Sequence, residues 1–332
     1  MSNPRNDREA VIEAIQAAKR VHLEGTPIGG GGWVDVFGAI LRADLALMFK
    51  PLKGLYGAYL PPTKERRAGV LINANHPLAL QRYTAAHEFG HHRMDHSPSL
   101  DGEEEIMPRA QATRRNPREV AADSFAAYYL MPFRLLDERL KAMGRAKGEI
   151  LDPASVYALS LSFGVSYAAM VRHLEETRRN TATTSARLLE ATPKSVKQHL
   201  LGSLELEDAH SDVREFQLIP EGLVTLRVGD TLILTLPNHT VGGYQWQMDG
   251  PADEALSVRT QVSGADLPHD QSGVSAPERI VMRCSAAGIR TATLTERRPW
   301  EPPEQAPLNK VDVAVEVLAR PAGWYRSSLA GA

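Results

Sequence analysis

Up to about residue 200 the apolar positions recur mostly at a helical spacing, and from about residue 213 they alternate at the spacing of strands. Between Asp7 and Leu23, the residues Ala10, Ile12, Ile15, Ala18 and Val21 lie close to a 3.6-residue period, which predicts an amphipathic helix. LYGAYL (55–60) and GVLINAN (69–75) are rich in β-branched and aromatic residues and are separated by Pro61 and Pro62, which predicts a pair of strands. Pro77 suits the first turn of a helix that carries Leu80, Tyr83, Thr84, His87 and His91 along one face. A second long helix runs from Asn116-Pro117 through EVAADSFAAYYL to Met131-Pro132, and further helices follow to about Gly202. After the acidic stretch ELEDAHSD (205–212), the segments TLILTLP (231–237), RIVMRCS (279–285), TATLTE (291–296) and VDVAVEVLA (311–319) alternate as half-buried strands do. Short turns separate them, the pattern of an all-β sandwich or barrel.

Length and composition change this picture only by bounding it. The 332 residues suffice for two domains, each with its own core. The expected division is a helix-rich domain over 1–204, a linker over 205–212, a β domain over 213–320 and a tail over 321–332. Thirty-eight Lys and Arg against 40 Asp and Glu leave a net charge of −2, which argues against the nucleic-acid backbone as the main partner. The single cysteine, Cys284, excludes an intrachain disulfide and fits a reducing compartment. The first twenty residues have no apolar core of a signal peptide, and no stretch reaches the ~18 apolar residues of a spanning helix. A cytoplasmic protein without a membrane partner is the expectation. Gly29 to Gly32 lacks the Gly-Lys-Ser/Thr ending of a phosphate-binding loop and reads as a plain loop, as do the charge clusters DGEEE (101–105) and Arg114-Arg115.

The strongest chemical signal is His87-Glu88-Phe89-Gly90-His91. Residues four apart share a helix face, so both imidazoles can reach one ion. Neutral imidazole suits Zn²⁺, and Glu88 stands where it can take a proton from water. A hydrolytic zinc site takes three protein ligands, so a third must come from elsewhere. Glu119 lies 28 residues after His91, with Asp123 one turn further on. One carboxylate could bind the metal while the other accepts the second N–H of a ligand histidine. The alternative for Glu119 is an exposed first-turn acid favoured by the helix dipole.

HEFGHH (87–92) followed by EVAADSFAAYYLMP (119–132) resembles the ImmA/IrrE family of metallopeptidases over about residues 10 to 175. The resemblance implies an α+β, zincin-like metallopeptidase domain binding one Zn²⁺. His87, His91 and Glu119 fall on the family's ligands, Glu88 on its catalytic acid, and Asp123 where the family has Asn or Asp. It also implies a site-specific endopeptidase whose protein substrate is a helix-turn-helix repressor, with GVLINAN as the edge strand beside the cleft. Tyr128, Tyr129 and His173 are candidates to stabilise the oxyanion, with structural roles as the alternative. His92 and His96 read as surface residues.

Two further stretches carry functional readings. SVYALSLSFGVSYAAMVRHLEE (155–176) reads as a helix-turn-helix with Met170 and Leu174 inward and Arg172, Arg178 and Arg179 near phosphates. Because the stretch is not strongly basic, it is read as a helix pair packed on the peptidase, with DNA binding as the alternative. In the β domain, LPNHTVGGYQW (236–246) and RRPWE (297–301) resemble the loops of chagasin-type inhibitors of papain-like cysteine proteases, an immunoglobulin-like sandwich family. Asn238, Thr240, Gly243, Tyr244 and Trp246 fall on the first motif, and Arg298, Pro299 and Trp300 on the last. His239 stands where the family has proline, Val241-Gly242 lengthens the loop by one residue, and the family's middle Gly-x-Gly loop is reduced to Gly273. Trp246 and Trp300 could instead cap a sandwich core. Three functional classes follow: a zinc peptidase with a β domain for protein recognition, a non-catalytic or DNA-binding regulator on a peptidase fold, and a cysteine-protease inhibitor.

Overall fold

A computed structural model describes residues 4–25, 33–95, 99–102, 116–146, 148–217, 223–237, 239–249, 254–262, 277–302 and 304–319. Gly29–Gly32, His96, residues 103–105, Arg114-Arg115, Asn238, Gly273 and the tail over 321–332 lie outside the described residues. The chain divides into two compact units, one ending at Thr192 and one spanning Pro193–Arg320.

The first unit combines helices with a sheet. Helix α1 (Pro4–Leu23) buries Ala10, Ala14, Ala17, Ala18 and Val21, so the expected stripe is shifted: Ala10, Ala18 and Val21 face inward, Ile15 is half-buried, and Ile12 is exposed because the buried face runs through Ala14 and Ala17. A short helix α2 (Val36–Arg42) starts where the Asp35 carboxylate accepts the Gly38 N–H at 3.1 Å. Strands β1 (Ala46–Lys50), β2 (Leu55–Leu60), β3 (Gly69–Asn73) and β4 (Ser99–Gly102) form a sheet in the order β1-β3-β2-β4. β1 and β3 are parallel, and β2 is antiparallel to both β3 and β4. LYGAYL and GVLINAN therefore pair, with Gly57 opposite Ile72 and Leu60 opposite Gly69. GVLINAN is not the edge strand that the sequence suggested. β3 is interior, with backbone partners on both sides, and it buries Gly69, Val70, Ile72 and Asn73, the near-continuous run of a strand covered on both faces. The edge beside β2 is β4.

Helix α3 (Leu78–Arg93) lies over β2 and β3, and α4 (Pro117–Leu130) packs on α3. Asn116 caps α4 by accepting the Arg118 N–H, and Pro117 takes the first helical position. Gly90 sets how closely the two helices approach: a Cβ there would lie 2.9–3.1 Å from Phe125 side-chain atoms. α1 covers α4 as well, with the His22 ring stacked on Tyr129 at 4.9 Å and donating to its backbone carbonyl at 3.0 Å.

Helices α5 (Phe133–Ala142), α6 (Pro153–Phe163), α7 (Tyr167–Glu176) and α8 (Ala182–Glu190) complete this unit. α6 and α7 meet at 100° through Gly164–Ser166, the geometry of a helix-turn-helix. The second helix is nevertheless packed: α7 buries Tyr167, Met170, Val171, His173 and Leu174, and Arg179 pairs with Asp137. A buried arginine on α3 holds the turn. Arg82 donates to the carbonyls of Gly164 (3.0 Å), Phe163 (3.3 Å) and Val34 (2.9 Å) and stacks on Trp33. Among the described residues no single helix is long and apolar enough to cross a membrane.

The second unit begins with α9 (Pro193–Leu201), packed against β5 (Val213–Phe216). The remaining strands are β6 (Leu223–Arg227), β7 (Thr231–Leu236), β8 (Gln245–Asp249), β9 (Leu256–Val262), β10 (Glu278–Cys284), β11 (Gly288–Arg297) and β12 (Asn309–Leu318). They form two four-stranded sheets, β5-β7-β10-β9 and β6-β12-β11-β8, whose alternating inner residues share one core. Leu232, Leu234, Ile280 and Met282 face it from the first sheet, and Trp246, Leu294, Val313 and Val315 from the second. Segment 205–212 is held to this unit by Lys197 Nζ on the Ala209 carbonyl (2.9 Å) and by the Asp212 N–H on buried Asp230 (2.8 Å).

Candidate functional site

One helical turn brings the donor atoms of the first unit together. His87 and His91, four apart on α3, approach to 3.1 Å between their Nε2 atoms. Glu119, in the first turn of α4, puts Oε2 at 3.2 Å from His87 Nε2 and 3.5 Å from His91 Nε2. In a tetrahedral zinc site with bonds of about 2.0–2.1 Å, neighbouring ligand atoms stand about 3.3 Å apart, so these three atoms have the spacing of one face of that tetrahedron. Two imidazole nitrogens and a carboxylate oxygen are a donor set that suits zinc.

The orientation of His87 points the same way. Its Nδ1 lies 3.1 Å from Asp123 Oδ1, so a proton on Nδ1 is donated to that carboxylate and Nε2 presents a lone pair to the cluster. Nε2 then faces the Glu119 oxygen, an acceptor against an acceptor, which a cation between them resolves. Burial raises the Glu119 pKa, but when the facing nitrogens of His87 and His91 carry protons instead, their hydrogen bonds and charge outweigh it and hold this carboxyl well below the usual carboxylate range, so this carboxylate calls for a positive partner in either state. Asp123 is itself placed by its helix: Tyr83 on α3 donates to its backbone carbonyl at 3.2 Å.

Glu88 is fully buried and, by the 100° step of a helix, is turned from His87 toward the sheet. A Cβ at Gly57 on β2 would lie 3.4 Å from Glu88 Oε1, 2.5 Å from Thr84 Cγ2 and 2.7 Å from the Leu71 carbonyl. Only glycine lets β2 run this close beneath Glu88. His92, one turn further along that face, is half-buried, with its Nδ1 3.1 Å from the Tyr59 hydroxyl. That corrects the reading of His92 as a surface residue: the helix seats it on β2. Tyr128, Tyr129 and His173 belong to packing. His173 Nε2 donates to the Met131 carbonyl at 2.8 Å, Tyr128 packs edge-on against His173, and Tyr129 stacks on Phe125.

In the second unit the two motif loops lie side by side. A 3₁₀ turn, Thr240–Gly242, is closed by the His239 carbonyl, which accepts the Gly242 N–H at 2.8 Å and the Tyr244 N–H at 3.4 Å. Gly243 has φ +78°, and a Cβ there would stand 2.3 Å from Trp300 Cη2, so Trp300 rests directly on its backbone. Arg298 donates to the Gly242 carbonyl at 2.7 Å, lies 4.4 Å over the Tyr244 ring and pairs with Glu301 at 3.1 Å. Trp246 is a core residue whose Nε1 donates to the Pro237 carbonyl at 2.8 Å, whereas Trp300 is 71 % exposed and caps no core. Thr240 and Pro299 flank these contacts in sequence.

Two segments of the chain match known families. Residues 41–175 match the IrrE N-terminal-like domain. Residues 225–315 match the Chagasin family peptidase inhibitor I42. The IrrE-like segment spans the strands, α3 and α4, and the chagasin-like segment spans both motif loops. No curated protein matches the chain. Among solved structures, the chain is similar to a cysteine protease inhibitor, EhICP2, from Entamoeba histolytica, at 18% identity and a TM-score of 0.27, over 33% of this chain and 98% of that one. Leishmania mexicana ICP is matched at 21% identity and a TM-score of 0.24, over 36% and 97%. PbICP-C, solved in complex with falcipain-2, is matched at 16% identity and a TM-score of 0.24, over 33% and 100%.

Sequence reasoning missed the residues that support these sites. Tyr59, Gly57 and Tyr83 carry no motif of their own. Gly90 had a signal inside His87–His91, where a helix former would otherwise stand. Glu296, at the end of β11, was missed as well, since its donors lie in distant segments of the sequence.

Proposed function

We propose that the first unit is a zinc-dependent endopeptidase in which His87, His91 and Glu119 hold one Zn²⁺, Asp123 orients His87 and Glu88 handles protons. The observation that carries this reading is the triangle of His87 Nε2, His91 Nε2 and Glu119 Oε2, with Asp123 behind it and Glu88 on the next helix face. When bound there, zinc supplies Lewis acidity to a water and to the scissile carbonyl. Glu88 takes a proton from the attacking water and delivers it to the leaving amine. Asp123 keeps the His87 proton on Nδ1, so Nε2 stays available as a ligand. The proposed substrate is a regulatory protein in the cytoplasm, such as a helix-turn-helix repressor.

Elemental analysis and a cleavage assay test this together. The parent and Glu88→Gln are expected to carry about one zinc per chain, and Glu119→Ala much less. Cleavage of a repressor substrate falls by about 10²–10⁴-fold in Glu88→Gln, the loss typical of a general base. Full activity in that variant would refute the assignment, and a protein that takes up no zinc at neutral pH would refute the site.

A second reading concerns residues 193–320 and is favoured by the exposed Trp300 seated on Gly243 beside Tyr244 and Arg298. We propose that these loops bind a protein, with papain-like cysteine proteases as the class to try first. The match to the chagasin family supports that choice. Inhibition of papain by the full chain at micromolar concentration is the direct test.

A further inference from the structure

We infer that Glu296 is a positioning residue for the recognition loops, acting through His239; the inference rests on the recognition reading of residues 193–320. On β11 the inward positions are Ala292, Leu294 and then Glu296, so a carboxylate stands where the alternation calls for a third apolar residue. It is fully buried, and a buried carboxylate is costly unless donors surround it. They do. The backbone N–H of His239 donates to Oε1 at 2.9 Å, His239 Nδ1 lies 3.0 and 3.1 Å from the two oxygens, and Asn309 Nδ2 donates to Oε2 at 2.7 Å. The Glu296 backbone carbonyl also accepts the Leu308 N–H at 2.9 Å. One side chain thus ties the start of β12 and the loop after β7 to the end of β11.

Glu296 immediately precedes the Arg297–Trp300 loop, and His239 opens the other loop. Their contact joins a closed circuit: Glu296 fixes His239, the His239 carbonyl closes the turn to Gly242 and Tyr244, and Arg298 returns to the Gly242 carbonyl and the Tyr244 ring. Trp300 rests on Gly243 at the centre of that circuit. Proline, the residue of the resembled family at this position, has no N–H to give Glu296. His239 and Glu296 are a matched pair, and the carboxylate supplies from beneath the rigidity that proline would give by its ring. Charge-assisted bonds to a desolvated carboxylate are strong enough for this task.

The experiment uses the full chain in four forms: parent, Glu296→Gln, His239→Ala and His239→Asn. Asparagine keeps the backbone N–H and offers a side-chain amide donor near the place of Nδ1, so it serves as the rescue variant. Backbone hydrogen exchange over 239–244 and the inhibition constant against papain are both read. Glu296→Gln and His239→Ala are each expected to speed exchange in this segment and to weaken papain inhibition by about tenfold, the loss that follows from one charge-assisted bond. His239→Asn stays near the parent in both. His239→Ala leaves the backbone N–H and Asn309 on the buried carboxylate, so it is expected to lower the unfolding midpoint only modestly and carries the test if Glu296→Gln folds poorly. Equal exchange in all four proteins overturns the inference. A parent that does not slow papain removes the recognition reading, and the exchange rates alone then decide whether Glu296 sets the loop.

Discussion

In the first unit the chemistry-bearing side chains are withdrawn from water: His87, Glu88 and His91 are each at most 3 % exposed, and Glu119 and Asp123 show only their edges. In the second unit the order is reversed, since Trp300 stands out while Glu296, the carboxylate bonded to His239 of the neighbouring loop, is sealed in. A buried donor cluster suits chemistry, because desolvation strengthens every electrostatic interaction inside it. An exposed aromatic held from behind suits recognition, because it offers apolar area to a partner without an ordering cost at binding. The lesson of the contrast is where rigidity comes from: close helix packing in one unit, and a buried acid with its donors in the other.

The sharpest way to break the contrast is a pair of tryptophans within the second unit. Trp246 fills the core and donates to Pro237, so Trp246→Ala is expected to cost about 3–5 kcal/mol of stability. Trp300→Ala should leave the thermal unfolding midpoint nearly unchanged while weakening a bound partner by about 2 kcal/mol or more. Calorimetry and papain inhibition on the same two proteins separate the roles. A large loss of stability in Trp300→Ala would return that residue to the structural class.

A second prediction tests the helical unit. Gly90→Val puts a β-branched side chain against Phe125, which is fully buried and has nowhere to move. Overpacking of this kind costs about 1–3 kcal/mol. Because α4 carries Glu119 and Asp123, zinc content should fall along with the unfolding midpoint. A variant that melts like the parent and holds its zinc would show that the spacing of α3 and α4 does not set the cluster.

The two units also differed in how much of them could be read in advance. His87 and His91 share a helix face by spacing alone, and the Asn116-Pro117 start placed Glu119 in the first turn of α4, so one periodicity brought the candidate donors into view. Strand order was beyond that reasoning. GVLINAN is apolar enough for either an edge or an interior strand, and only β1 on its far side decides the matter. Helical position likewise left open what lies opposite His92, because Tyr59 meets it across 33 residues of sequence. The alternation of β11 and β12 marked the inward faces correctly, but a carboxylate on an inward position has no local signature. Its three donors come from segments 57 and 13 residues away.

The smallest expected effect concerns the acid on the neighbouring inward face. Glu278, at the start of β10, is almost fully buried and accepts the Trp246 N–H at 3.5 Å. Burial pushes its pKa up, the Trp246 N–H pulls it back in part, and the charge of Glu296 raises it further. A carboxyl with a folded pKa above its unfolded value is destabilising when ionised, so this penalty is complete above the folded pKa and vanishes below the unfolded one. The second unit therefore gains stability from this group as pH falls from neutrality through the raised folded value toward about 4.3, the ordinary glutamate pKa. Glu278→Gln keeps an acceptor for Trp246 and removes the charge. It should be more stable than the parent at pH 7, by on the order of 1 kcal/mol, and the difference should shrink steadily as the two proteins are melted at lower pH. Glu296 keeps the same donors in both proteins, so the subtraction centres on Glu278. A difference that grows on acidification would mean that Glu278 is stabilised as the anion, and that the second unit tolerates two buried charges where the first gathers its own around a single point.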